Sequence, residues 1–259
     1  MKALRGHTLD ASIGGASLRA ADSHIYVTNI AQEVRTQATF SENIGRDGRR
    51  RGRVRREVIR VTVSFRIWEF SSVTDREAIL EKANAWARDG YLTVSTKPGR
   101  RMAVQCAARA AASDPRNYKE DYQIVFESSQ APYWEAAAAT TFTLSGTSQT
   151  KTISVPGTHE AVFEATVTHS SGTLNTLSLQ VGGTKMEFAA LTVGSATTFY
   201  IDHDSEGRLR IYAGSSTTKY HCRSAASDDE LIAGPGSVTA KLSADASCSV
   251  TLSCRGRYR

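Results

Sequence analysis

In Ile59-Arg60-Val61-Thr62-Val63-Ser64-Phe65-Arg66-Ile67-Trp68, five apolar residues (Ile59, Val61, Val63, Phe65, Ile67) alternate with Arg60, Thr62, Ser64, Arg66 and Trp68. A period of two with β-branched and aromatic enrichment is the signature of a half-buried strand. One face enters a core, and the face carrying Arg60, Arg66 and Trp68 suits a surface that another subunit covers. Thr74-Asp75-Arg76-Glu77 then reads as a capping box opening a helix. Ile79, Ala83, Trp86 and Ala87 share one helical face, and Gly90 is expected to end the helix. Tyr91–Val94, a Pro98-Gly99 turn of the type II kind, an alternation through Met102, Val104 and Cys106, a loop at Asp114-Pro115-Arg116-Asn117, and a strand at Tyr122–Phe126 follow. One helix on a mostly antiparallel sheet, or split barrel, ending near Trp134 is an α+β unit.

Upstream, residues 1–45 read as irregular, with strands expected at Ile25–Ile30 and Val34–Phe40. The stretch 46–60 carries eight arginines: Arg46, Arg49, Arg50, Arg51, Arg53, Arg55, Arg56 and Arg60. Its glycine-punctuated part, Arg46–Arg53, reads as a loop or hairpin tip. Mutual repulsion and two glycines predict mobility there unless a partner orders it.

Downstream, Ala136–Ala139 reads as a connector, and the composition turns to Ser, Thr, Gly and Ala. Short alternations recur at Phe142–Leu144, Ala161–Val167, Leu177–Val181, Phe199–Ile201, Leu209–Tyr212, Val238–Leu242 and Val250–Cys254. Gly182-Gly183, Glu206-Gly207 and Gly234-Pro235-Gly236 are among the turns between them. Evenly spaced short strands with no helical period indicate a β-sandwich. The fold class is therefore mainly β, in two domains: an α+β domain over 1–134 and a β-sandwich over 135–259.

The 259 residues suit two cores of roughly 120 to 130 residues each. The net charge of +6 is concentrated in the arginine stretch, so it says little about a polyanionic partner. No apolar run reaches the roughly 18 residues of a membrane span. The first residues lack the apolar stretch of a signal peptide, so folding in a cytosol is expected. Cys106, Cys222, Cys248 and Cys254 fit that compartment as free, mostly buried thiols, with a Cys248–Cys254 bridge as the alternative.

The order of these features resembles the distal tail proteins of long, non-contractile-tailed phages. The similarity is carried by the strand Arg56–Phe65, the helix running into Trp86-Ala87 and the exit Pro132-Tyr133-Trp134-Glu135. In the second half it is carried by Leu177–Gly183, Phe199-Tyr200-Ile201-Asp202, Gly234–Val238 and the terminal Arg255-Gly256-Arg257-Tyr258. The resemblance implies a tail-tube-like N-terminal domain that forms a hexameric ring and a galectin-like C-terminal domain. It implies a structural virion protein at the distal end of the tail, assembled in the host cytoplasm. Its partners would be the tail-tube protein and tail-tip or baseplate hub proteins, with DNA passing through an open lumen. A tail-tube subunit and a carbohydrate-binding adhesion module are the alternatives.

On that reading Arg49, Arg50, Arg51, Arg53, Arg55, Arg56, Arg60, Arg66 and Trp68 are candidate subunit contacts, because guanidinium forks meet carboxylates of a neighbour well. A solvated loop is the plainer alternative. Specific nucleic-acid binding is disfavoured, since no aromatic residues interleave for stacking. No nucleophile, metal or phosphate-loop motif is present, so no enzyme and no cofactor is expected. Asp202, Asp204, Glu206 and Gly207 faintly match a calcium loop, but Ala213 stands where a bidentate Glu is needed. His221-Cys222 point apart on a strand, and Glu160 with Glu164 is the pattern of an ordinary exposed sheet face. Tyr200, Tyr212 and Tyr220 could stack on a host-surface glycan, or serve as strand-end tyrosines of an architectural domain. No glycan-binding residue is assigned.

Overall fold

The computed structural model describes residues 9–42, 49–112, 120–204, 207–215 and 217–258; at 36–42 and 49–57 it describes the backbone alone. The chain divides into two compact units, Met1–Trp134 and Glu135–Arg259, and is mainly β. The expected loop at 114–117 lies outside the described residues.

Unit 1 contains β1 (Ala11–Ile13), β2 (Ala16–Ser17), a short helix α1 (Leu18–Ala21), β3 (Ile25–Glu42), β4 (Arg49–Ile67), α2 (Val73–Trp86), β5 (Gly90–Val94), β6 (Arg100–Ala108) and β7 (Tyr122–Ser128). The sheet runs β2-β1-β5-β6-β7-β4-β3, antiparallel at each of these pairings. The alternation in β4 does what its pattern predicts: Ile59, Val61, Val63, Phe65 and Ile67 are all buried. They meet α2, whose Trp86 ring lies edge-on to Phe126 at 5.8 Å and donates its Nε1 hydrogen to the Ala16 carbonyl at 2.7 Å.

Three expectations for this half need correction. Residues 11–42 are regular rather than irregular, opening with a β1–β2 hairpin turned by Gly14 at φ +55° and Gly15 at φ +84°. The two strands expected at 25–30 and 34–40 are one, β3, because pairing with β4 continues through register shifts that absorb the irregular pattern. Of the loop or hairpin tip expected at Arg46–Arg53, Arg49–Arg53 belong to β4, and 46–48 lie outside the described residues.

The helix is also capped differently. Ser72, not Thr74, is the N-cap, its hydroxyl accepting from the Asp75 N–H at 3.1 Å. The Asp75 carboxylate reaches back to the N–H of Ser71, the residue before the cap, at 2.9 Å, so a variant of the capping box forms two residues earlier than expected. The helix stops at Trp86, and Gly90 opens β5 at φ +151° instead of capping. The Pro98-Gly99 turn forms, with Gly99 at φ +70° and the Arg100 N–H donating to the Lys97 carbonyl.

β8 (Trp134–Ala136) leads into unit 2, which holds β9 (Thr140–Val155), β10 (Ala161–His169), β11 (Thr173–Leu174), β12 (Leu177–Val181), β13 (Thr184–Phe188), β14 (Val193–Gly194), β15 (Phe199–His203), β16 (Leu209–Ala213), β17 (Thr217–Thr218), β18 (Leu231–Ala233), β19 (Gly236–Cys254) and β20 (Arg257–Tyr258). The alternations at 238–242 and 250–254 are the two halves of β19. Its first half pairs with β12 and its second with β10, while β9 runs beside both across a register shift between Ser243 and Cys248. A bulge of this kind lets one strand leave one layer for the other. Leu177, Leu179, Val181 and Met186 from one layer thus share a core with Phe163, Val167, Ile201, Ile211 and Val250 from the other. His221 and Cys222 sit in a 3₁₀ turn, Tyr220–Cys222, not on a strand.

Candidate functional site

The face of β4 assigned to subunit contacts divides into three parts. β4 pairs with β7 only from Arg60 to Phe65, so from Val58 back to Arg49 its described partner is β3 alone. This is a two-stranded ribbon, a form only marginally stable in water without cover. Arg49, Arg50, Arg51, Arg53, Arg55 and Arg56 all lie on it. The register sets Arg49 opposite Glu42, but Arg50, Arg51, Arg55 and Arg56 opposite Ser41, Phe40, Gln37 and Thr36.

Arg60 and Arg66 behave differently. Arg60 grips Glu127 on β7 through Nε at 3.1 Å and a terminal nitrogen at 2.7 Å. Arg66 forks onto both carboxylate oxygens of Asp121 at 2.6 and 2.8 Å, which holds that carboxyl below its usual range. Both guanidiniums are therefore engaged within their own sheet. Alternation could place them on the outer face, but their acidic partners, Glu127 on β7 and Asp121 just before it, lie 67 and 55 residues away, which no local pattern reveals. Trp68 is 52 % exposed beyond the end of β4, next to Glu69, which takes a left-handed φ of +59°. A non-glycine residue there carries a backbone cost.

A cavity of about 470 Å³ opens in unit 1 between the end of α2 and the β6 bulge at Ala107, lined by Arg88, Asp89, Cys106 and Arg109 among others. One oxygen of Asp89 already accepts the Cys106 N–H at 2.9 Å.

In unit 2 the outer face of the β10-β15-β16 layer gathers Tyr200 and Tyr212, stacked at 4.9 Å with 19° between their planes. Asp202 beside them accepts from Arg210 at 2.8 and 3.0 Å and from the Tyr212 hydroxyl at 2.8 Å. Tyr220, the third candidate, is exposed in the 3₁₀ turn, outside this pair. Of the faint calcium loop, residues 205 and 206 lie outside the described residues; among the described residues no cluster of three metal-ligating side chains forms. Glu160 and Glu164 do not act as a pair: Glu160 precedes β10, and Glu164 faces His203 instead.

His203 Nδ1 lies 3.8 Å from Glu164 Oε1 and its Nε2 3.6 Å from Glu230 Oε1. The Glu164 carboxylate raises the histidine pKa, with Glu230 and Asp202 adding to it against the opposing effect of burial. The same contact lowers the pKa of Glu164. A raised histidine pKa means that the protonated, paired form stabilises the fold below the ordinary value of 6.5, and that this contribution disappears as pH rises through the elevated one. The melting temperature of the wild type is expected to fall more than that of His203→Gln between about pH 6 and pH 9. Parallel curves would contradict the assignment.

All four cysteines are free thiols, and burial pushes Cys254 up to about 11 and Cys248 in the same direction. Cys222, Cys248 and Cys254 are buried packing groups, whereas Cys106 is half-buried at the cavity of unit 1. Among the described residues no helix is long and apolar enough to cross a membrane.

No protein-family model matches the sequence, and no curated protein matches it either. Solved structures do. A chain of the phage P2 baseplate in its activated conformation with calcium matches with a TM-score of 0.53 and 7% identity, over 96% of this chain and 98% of that one. The crystal structure of SPP1 Dit, described as a paradigm of the hub adsorption apparatus in phages infecting Gram-positive hosts, matches with a TM-score of 0.75 and 13% identity. That match covers 95% of this chain and 98% of SPP1 Dit, so the fold of this chain is that of a Dit hub protein from its first strands to its last.

Proposed function

We propose that this chain is a structural tail-hub protein of a phage virion: a homo-hexameric ring at the distal end of the tail that joins the tail tube to the tail-tip or baseplate proteins. The observation that carries this reading is the match to SPP1 Dit across both units, at 95% and 98% coverage. Unit 1 would form the ring around an open lumen for DNA, and the chain would assemble in the host cytoplasm. Its role is mechanical, with no catalytic step.

The β3–β4 ribbon supports an assembly arm within that ring. A two-stranded ribbon with most of its arginines opposite neutral residues gains by docking against carboxylates of a neighbouring subunit or tube protein. Trp68 would add apolar contact area, whereas Arg60 and Arg66 would hold the docking face flat through Glu127 and Asp121.

Negative-stain electron microscopy of the purified protein, with light-scattering mass alongside, tests the reading. Six-fold rings with an open centre are expected. Long tubes would point to a tail-tube subunit instead, and a monomer that stays monomeric with its tube protein present would refute the hub. Charge reversal of Arg50 and Arg53 together is expected to abolish rings while leaving the melting temperature unchanged; wild-type rings from that variant would refute the arm.

A further inference from the structure

One edge of β10 is shared by two strands laid end to end. β19 takes the opposite edge along Phe163–His169. On the shared edge β15 pairs with Ala165–Val167 and β18 with Ala161–Phe163. Glu164 therefore stands at a seam, where neither strand is in register with it. His203, the last residue of β15, and Glu230, the residue before β18, flank that seam. The imidazole bridges it, with Nδ1 toward Glu164 and Nε2 toward Glu230, within ion-pair distance of both. Nε2 is buried without a hydrogen bond, so what it offers Glu230 is charge.

Residues 224–233 form a strap on the side of the sandwich. Its first part is tied to β13: Asp228 accepts the Lys185 N–H at 2.6 Å, and the Ser227 hydroxyl accepts the Glu187 N–H at 2.8 Å. Its last part, β18, lies on β10 and buries Leu231 and Ala233. Glu230 sits between the two ties, and among the described residues its ionic partner is His203.

The other charges near the imidazole have their own partners. Asp202 is gripped by Arg210 on β16, and Asp229 by Arg223. Asp204 lies opposite Arg208 in the hairpin that follows, and the Arg255 guanidinium donates to the Ala136 and Ala137 carbonyls. A protonated His203 is thus the cation that offsets Glu164 and Glu230 together. Protonated imidazole carries two N–H groups, one for each carboxylate; neutral imidazole has one. In the neutral state one carboxylate faces a lone pair, and two like charges remain across the seam.

We propose that His203 is a pH-sensitive latch: protonated, it fastens the 224–233 strap at Glu230 to β15 and β10; neutral, it lets the strap open. The carboxylates raise the histidine pKa, so the latch is closed below the ordinary value of 6.5 and opens as pH rises through the elevated one. The latch lies within one chain and is independent of the hub reading.

Hydrogen–deuterium exchange mass spectrometry of the full chain at pH 6 and pH 9, corrected for the intrinsic pH dependence of exchange, tests it. Relative to a β12 peptide, the wild-type strap is expected to lose about threefold to fivefold in protection at pH 9, the scale of a partly exposed ion pair. His203→Gln should show the low protection at both pH values. Glu230→Gln keeps the histidine, removes the strap's charge, and should flatten the profile as well. Equal wild-type protection at the two pH values would mean that packing alone holds the strap, and would overturn the latch. So would a wild-type pH dependence retained in either variant.

Discussion

Replacing Trp134 by alanine is expected to destabilise unit 1 by about 4 kcal/mol, at the upper end for large-to-small core changes. This residue is among the largest fully buried side chains, with 1 % exposure. Its indole donates from Nε1 to the Gln32 side-chain oxygen at 3.1 Å, and Lys97 Nζ sits 5.6 Å from the ring centre. Truncation removes the ring and leaves a cavity, while the exposed Gln32 side chain is free to turn to water. Trp134→Phe keeps most of the apolar volume and loses the hydrogen bond, so it should cost about 1 to 2 kcal/mol. The Lys97 contact adds little to either figure, because cation–π pairs at partly exposed sites are worth about 1 kcal/mol or less. Urea denaturation followed by circular dichroism separates the two variants. A loss below about 1 kcal/mol for Trp134→Ala would mean that the last residue of the unit is not part of its core.

The second large effect is expected at Gly157. A Cβ built there meets the Arg257 carbonyl oxygen at 2.6 Å and the Arg257 nitrogen at 2.7 Å, and the residue sits at φ +111°. Both obstacles are backbone, which cannot rotate away as a side-chain tip could. A Cβ at Gly256, next to Arg257, would likewise meet the Pro156 backbone, at 2.9 Å. Here the 156–158 turn and the C-terminal segment touch backbone to backbone, and the Thr158 and His159 N–H groups both donate to the Arg257 carbonyl. Gly157→Ala must either open this contact, losing those hydrogen bonds, or hold a strained backbone, and should cost at least about 3 kcal/mol. The check is thermal unfolding beside Gly183→Ala, whose Cβ would meet nothing within 4 Å and which should change little. Equal melting temperatures for the two variants would refute the close approach.

Both effects were only partly foreshadowed in the chain. Trp134 stood out as part of a Pro-Tyr-Trp-Glu exit, but its partner Gln32 lies 102 residues away on a strand that reads as two. Nothing local marks Gly157, because its constraint is Arg257.

The elements that local pattern did reveal are those whose energetics are local. Strict alternation from Ile59 to Ile67 requires one buried face, and all five apolar residues are buried. Pro98 and Gly99 carry the φ preferences of their own turn. The α2 helix was legible for the same reason, though Ser72 and Asp75 competed successfully with Thr74 for the cap, since a cap is chosen among neighbours of similar chemistry.

Strand length and sheet membership were not legible. Val238–Leu242 and Val250–Cys254 look like two strands, because the register shift between them interrupts the period; only pairing with β9 along both halves makes them one. The same applies to the candidate faces. Composition marked the arginines and tyrosines as exposed groups. Which of them are spent was decided by cross-strand neighbours: Glu127 for Arg60, Asp121 for Arg66 and Tyr212 for Tyr200. Residue type and spacing thus settled which faces are apolar and where the chain turns, because those follow from burial and φ preference over a few residues. The partners of each charge and ring belong to the tertiary structure, because register between distant strands is fixed by the packing of the whole sheet.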